Sequence, residues 1–120
     1  MQGRHIAEAR IGRVKRASAV SLDLARLGLD DEDLVVLAPQ ILELRDLTTL
    51  DLSGNRLTAL PDSLGGLTAL TTLHLSDNGL TALPDSLGGL TALTTLNLQN
   101  NGLRALPAGP GPRQSQMIMS

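Results

Sequence analysis

Leu50, Leu73 and Leu96 lie 23 residues apart. Asn55, Asn78 and Asn101 keep the same spacing, as do Pro61, Pro84 and Pro107. The stretches Leu57–Leu73 and Leu80–Leu96 are identical in all 17 letters. A fixed period of roughly 20 to 50 residues marks a repeat array, in which each unit buries its apolar side only against its neighbours. The stretch from Leu47 to Pro107 therefore organises the chain.

Each unit has one internal logic. In Thr49-Leu50-Asp51-Leu52-Ser53 apolar and polar residues alternate with a period of two, which predicts a short strand with Leu50 and Leu52 inward. Thr49, Asp51 and Ser53 then point outward. Stacking the units lays these strands side by side in a parallel sheet. Asn55 follows in a tight turn, where an amide side chain can both donate to and accept from backbone groups that must find partners. Leu57, Leu60, Leu64 and Leu67 continue the interior. Pro61 suits an unpaired turn, because it lacks an N–H. Gly65-Gly66 suits a tight bend on the opposite side.

The resulting pattern, L-x-x-L-x-L-x-x-N-x-L-x-x-L-P, resembles the leucine-rich repeat family in the 23-residue form common in intracellular proteins. The resemblance covers residues 17–107. It implies an α/β fold, a right-handed curved superhelix with a parallel β-sheet on the concave face and a helix or short turns on the convex face. It also implies a binding function without catalysis. In that family the turn asparagine bonds backbone groups of its own turn and of the neighbouring repeat, which assigns a structural ladder to Asn55, Asn78 and Asn101.

The start of the array is irregular. Ser21–Leu29 matches Thr49–Leu57 at Leu22, Asp23, Leu24 and Leu29, giving a first repeat of 28 residues. Leu27 then stands where asparagine is expected. A second register, with Leu27-Gly28-Leu29 as the strand at a spacing of 23, matches fewer letters. The extra length carries Asp30-Asp31-Glu32-Asp33 followed by Leu34, Leu37 and Ile41, an acidic first turn on a helical pattern. These contiguous acids cap a helix more readily than they form a calcium loop, which alternates its acids around a central glycine. Pro39 is expected to end or kink that helix.

Both ends differ from the array. Residues 4–16 are helical in pattern, with Ile6, Ala7, Ile11 and Val14 on one face and Arg10 intruding on it. The segment 1–16 is read as a capping helix over the first repeat, with a basic amphipathic membrane or partner helix as the sharper alternative. Residues 108–120 have the glycine, proline and polar content of a disordered tail. Without an amphipathic cap after Pro107, the last strand near Thr95–Gln99 would offer an open edge for self-association, unless the tail folds over it or the array is longer.

Composition narrows the chemistry. The chain has no aromatic residue and no cysteine, so its core is aliphatic and it has no disulfide or thiolate site. Residues 1–16 carry net +4 and the remainder −6. An acidic body with a small basic end does not suit a nucleic-acid surface. No apolar run is long enough to span a membrane, and the N-terminus has no secretory pattern, so a cytoplasmic protein is expected. One lysine against nine arginines points to a GC-rich bacterial genome. His5 and His74 are the only histidines, and no nucleophile elbow or phosphate loop is present. No metal, cofactor or catalytic residue is assigned. A catalytic Asp51–His74 pair would sit on an open face that excludes no water.

Function is expected on the outward strand face. Its columns are Ser21, Thr49, Thr72 and Thr95; Asp23, Asp51, His74 and Asn97; and Ala25, Ser53, Ser76 and Gln99. Arg26, Gly54, Asp77 and Asn100 lie just beyond. Positions vary here while the scaffold repeats, as in a tunable surface, although drift produces the same signature. The candidate partner-binding residues are Asp23, Arg26, Thr49, Asp51, Ser53, Thr72, His74, Ser76, Asp77, Thr95, Asn97 and Gln99. The expected function is a non-catalytic protein–protein interaction module. The alternatives are a regulatory piece of a larger GTPase, kinase or ubiquitin ligase, or a self-associating unit.

Overall fold

A computed structural model describes residues 2–103 and 117–118. Helix α1 (Gln2–Ala17) leads into strand β1 (Ser21–Asp23), helix α2 (Asp31–Leu42) and strands β2 (Thr49–Asp51), β3 (Thr72–His74) and β4 (Thr95–Asn97). A last short strand, β5, spans Met117–Ile118. The strands form one open parallel sheet in sequence order. Two 3₁₀ turns, Asp62–Gly66 and Asp85–Gly89, return the chain along the convex side after β2 and β3. This is an α/β solenoid.

The register fixes the first repeat. Leu22 pairs with Leu50, Leu50 with Leu73 and Leu73 with Leu96, so the 28-residue offset is the strand register. The spacing of 23 returns at Leu37, Leu60 and Leu83, all buried. Leu29 and Leu57 are equivalent, because the Arg56 N–H donates to Leu29 O as the Gly79 N–H does to Leu57 O (2.8 Å each). The additional residues therefore lie between Leu29 and Leu37, in the cap and first turn of α2. That insertion turns the first convex segment into a true helix.

The acidic run divides its labour. The Asp30 carboxylate accepts from Asp33 N–H (2.9 Å), and the Asp33 carboxylate accepts from Asp30 N–H (3.1 Å) and from Arg4 Nε (2.7 Å). This capping box satisfies orphan donors of the first helical turn and ties α1 to α2. The Asp31 carboxylate reaches the next repeat, accepting from the hydroxyl and N–H of Thr58 and from the N–H of Ala59. Burial acts to raise the pKa of both Asp31 and Asp33, but these hydrogen bonds outweigh it and hold both below the ordinary carboxylate value.

Two local expectations are corrected: that Pro39 would end α2, and that Ile6 would join the buried face of α1. Helix α2 continues through Pro39 to Leu42. The proline removes the donor for the Val35 carbonyl, and Val35 is exposed, so water can take that place. On α1 the buried face is Ala7 and Ile11 with Val14 beside them, whereas Ile6 is exposed. Arg10 is accommodated at the rim of that face, where its Nη1 donates to Asp23 O (3.0 Å). Lys15 and Glu43 (2.9 Å) add an exposed ion pair between α1 and the end of α2. The expected tail lies outside the described residues except for Met117 and Ile118, which pair in parallel with Leu96 and Asn97.

The core is a stack of leucine columns, including Leu22, Leu50, Leu73 and Leu96, and Leu24, Leu52, Leu75 and Leu98, all essentially inaccessible. Close approach on the convex side requires glycine. A Cβ built on Gly65 would lie 2.3 Å from Ser86 O.

Candidate functional site

The asparagines knit the turns beneath the strand face. Asn55 is 7% exposed. Its Oδ1 accepts from Leu27 and Leu29 N–H (3.0 Å each), and its Nδ2 donates to Leu24 O (3.0 Å) and Leu52 O (2.9 Å). Asn78 Oδ1 accepts from Leu57 N–H (3.2 Å), and its Nδ2 donates to Leu52 O and Leu75 O (3.0 Å each). Asn101 repeats this with Leu80 N–H, Leu75 O and Leu98 O (3.1, 2.9 and 3.1 Å). Each asparagine thus closes its own turn and the turn of the preceding repeat. The absence of asparagine at Leu27 leaves the first turn served, because Asn55 takes its Leu24 carbonyl.

On that support the outward residues fall into aligned columns. Ser21, Thr49, Thr72 and Thr95 are strand partners, as are Asp23, Asp51, His74 and Asn97. Ser53, Ser76 and Gln99 follow, each accepting through its carbonyl from the preceding repeat (2.9 Å). Neighbours within a column are about 4.8 Å apart in a sheet. Ser21, Asp23, Arg26, Asp77, Gln99 and Asn100 are exposed, and Thr49, Asp51, Ser53, Thr72, His74, Ser76, Thr95 and Asn97 are partly covered.

Asx turns fix the second column. Asp23 Oδ1 accepts from Ala25 N–H (2.9 Å), Asp51 Oδ1 from Ser53 N–H (2.9 Å) and Asn97 Oδ1 from Gln99 N–H (3.2 Å). Asp51 also receives the Ser53 hydroxyl at 2.5 Å. Asp51 and His74 are register partners with no hydrogen bond between them, on a surface open to water. Among the described residues no three or more His, Cys, Asp or Glu side chains gather to hold a metal ion.

The column beyond is set by the backbone. Arg26, Asp77 and Asn100 have φ of +59°, +58° and +59°, and Gly54 has +69°. Glycine, asparagine and aspartate tolerate this left-handed conformation, and arginine is costly there. The Arg26 stem crosses Gly54, where an added Cβ would meet its Cγ at 2.7 Å. Asn100 Nδ2 donates to Asp77 Oδ1 (2.8 Å). Asn100, not among the residues assigned from sequence, thus belongs to the same polar row as Arg26 and Asp77. The run Gly54-Asn55, Asp77-Asn78 and Asn100-Asn101 carried the signal, because three residue types suited to positive φ precede the ladder asparagine.

The sequence pattern of the leucine-rich repeat family matches residues 23–80 and, overlapping, 45–103. The chain belongs to the leucine-rich repeat family. No curated protein sequence matches it. Among solved structures it is similar to a leucine-rich repeat protein of Leptospira interrogans, at 25% identity with a TM-score of 0.51. That likeness covers 80% of this chain but only 36% of the Leptospira protein. The chain therefore spans about a third of that relative's length. Among the described residues no helix is long and apolar enough to cross a membrane.

Proposed function

We propose that this leucine-rich repeat protein is a non-catalytic interaction module that binds a protein partner on its strand face. The observation that carries the reading is the contrast between repeats. Leu57–Leu73 and Leu80–Leu96 are identical, yet the outward residues that follow differ: His74 against Asn97, Ser76 against Gln99 and Asp77 against Asn100. These side chains lie in register on one surface. The surface is polar and on balance acidic, with Asp23, Asp51 and Asp77 against Arg26. Arg26 is the anchor of choice, since arginine is enriched among binding hot spots and here it occupies a costly backbone conformation. A cytoplasmic, bacterial setting completes the proposal.

The test uses the triple variant Asp51→Ala, His74→Ala, Asn97→Ala beside a convex-face control, Val35→Glu. A partner captured by the wild-type chain should be lost with the triple variant and kept with the control. Retention by the triple variant, with circular dichroism unchanged, would remove the strand face from the proposal. A role as the targeting part of a larger enzyme is the second reading. Self-association through the last strand ranks below both, because β5 pairs along that strand.

A further inference from the structure

The edge of β4 has a resident occupant. Met117 and Ile118 pair in parallel with Leu96 and Asn97. Met117 follows Leu96 by 21 residues, close to the 23 of the array. A parallel return needs a connection of about a dozen residues or more, and this spacing supplies it. In sequence, Gln116-Met117-Ile118-Met119 has apolar residues where Thr95-Leu96-Asn97-Leu98 has its inward leucines. Met117 thereby extends the register column of Leu22, Leu50, Leu73 and Leu96.

The backbone pattern states what that occupant does. Leu24 N–H donates to Asp51 O (2.8 Å), Leu52 N–H to His74 O (2.8 Å) and Leu75 N–H to Asn97 O (2.9 Å). Leu98 is next in this series, and the residue aligned with Asp51, His74 and Asn97 is Ile118. We propose that the Met117–Ile118 segment is a built-in edge strand, which occupies the β4 edge in cis and keeps a second copy from pairing there. An unoccupied edge would leave a row of strand donors and acceptors beside buried Leu96 and Leu98, the arrangement that invites edge-to-edge association.

Two variants test it. Ile118→Pro keeps the chain length, removes the N–H and cannot sit in a paired strand. Hydrogen exchange at the Leu98 amide should quicken about tenfold or more while the Leu75 amide, one strand deeper, is unchanged. Light scattering should then show mass rising with concentration towards a dimer. In a chain ended at Arg113, a synthetic peptide of residues 113–120 should restore both slow Leu98 exchange and the monomer. Unchanged Leu98 exchange and mass in Ile118→Pro would overturn the proposal. Equal acceleration at Leu75 and Leu98 would also overturn it, since the segment would then support the whole stack. Faster Leu98 exchange in a chain that stays monomeric at every concentration would refute the guarding role.

Discussion

Asn55 offers the sharpest test of how the repeats are held together. Replacing it with alanine removes one acceptor shared by Leu27 and Leu29 N–H and the donors to Leu24 O and Leu52 O. Each backbone group left buried and unpaired costs about 1–3 kcal/mol. The groups of Leu24, Leu29 and Leu52 belong to inaccessible residues, whereas Leu27 is half-buried and its amide can turn to water. Charging two or three of these groups at about 1.5 kcal/mol each gives a loss of about 3–5 kcal/mol. For a domain of about 100 residues that lowers Tm by roughly 12–30 °C. The chain has no aromatic residue, so unfolding is followed by far-ultraviolet circular dichroism in urea. The comparison is Asn101→Ala, whose side chain is itself less buried than that of Asn55 and accepts from Leu80 N–H where Asn55 accepts from two amides, with an expected loss of about 1–2 kcal/mol. A cost under about 1 kcal/mol for Asn55→Ala, or one no greater than for Asn101→Ala, would refute the reasoning that buried turn groups depend on this amide.

Two further outcomes follow from the packing and the charges. Gly65→Ala places a Cβ 2.3 Å from Ser86 O, so the convex turns must separate; a loss of about 1–3 kcal/mol in urea unfolding is expected, and a neutral result would mean that the backbone there yields freely. Asp31 and Asp33 have folded-state pKa values below their unfolded ones. Their contribution is therefore present above the unfolded carboxylate range of about 4 and lost as pH falls through the lower folded values. Thermal melts should show stability declining on acidification below about pH 4, and the double variant Asp31→Asn, Asp33→Asn should flatten that decline.

Much of the architecture was legible because the repeat imposes it. The strand face, the leucine columns and the 28-residue first repeat follow from Leu22, Asp23 and Leu24 matching Leu50, Asp51 and Leu52. The helix after Leu29 was legible in its acidic first turn. Its passage through Pro39 was not, since Val35 is an exposed residue on the convex side, where water can stand in for a missing donor, and nothing in the local sequence reports that exposure. Ile6 was misplaced because helical periodicity gives a face but not where α1 rests on α2. The positive φ of Arg26 was hidden by the residue type itself, and only its alignment with Gly54, Asp77 and Asn100 exposes it. Strand β5 escaped notice because Gly-Pro-Gly-Pro before it reads as a break, while two paired residues carry little periodicity.

The asparagine contacts run in one direction along the chain. Asn55 closes the turn around Leu24 and Leu29, Asn78 the turn around Leu52 and Leu57, and Asn101 the turn around Leu75 and Leu80. Each of the first three repeats is latched by its successor. Trimming the array from its beginning would free side-chain amides that can turn to solvent. Trimming it from its end would strip partners from backbone groups that cannot move. Growth or loss of repeats in such a protein is therefore asymmetric: a new unit is tolerated more easily ahead of Leu22 than an old one is removed behind Leu75.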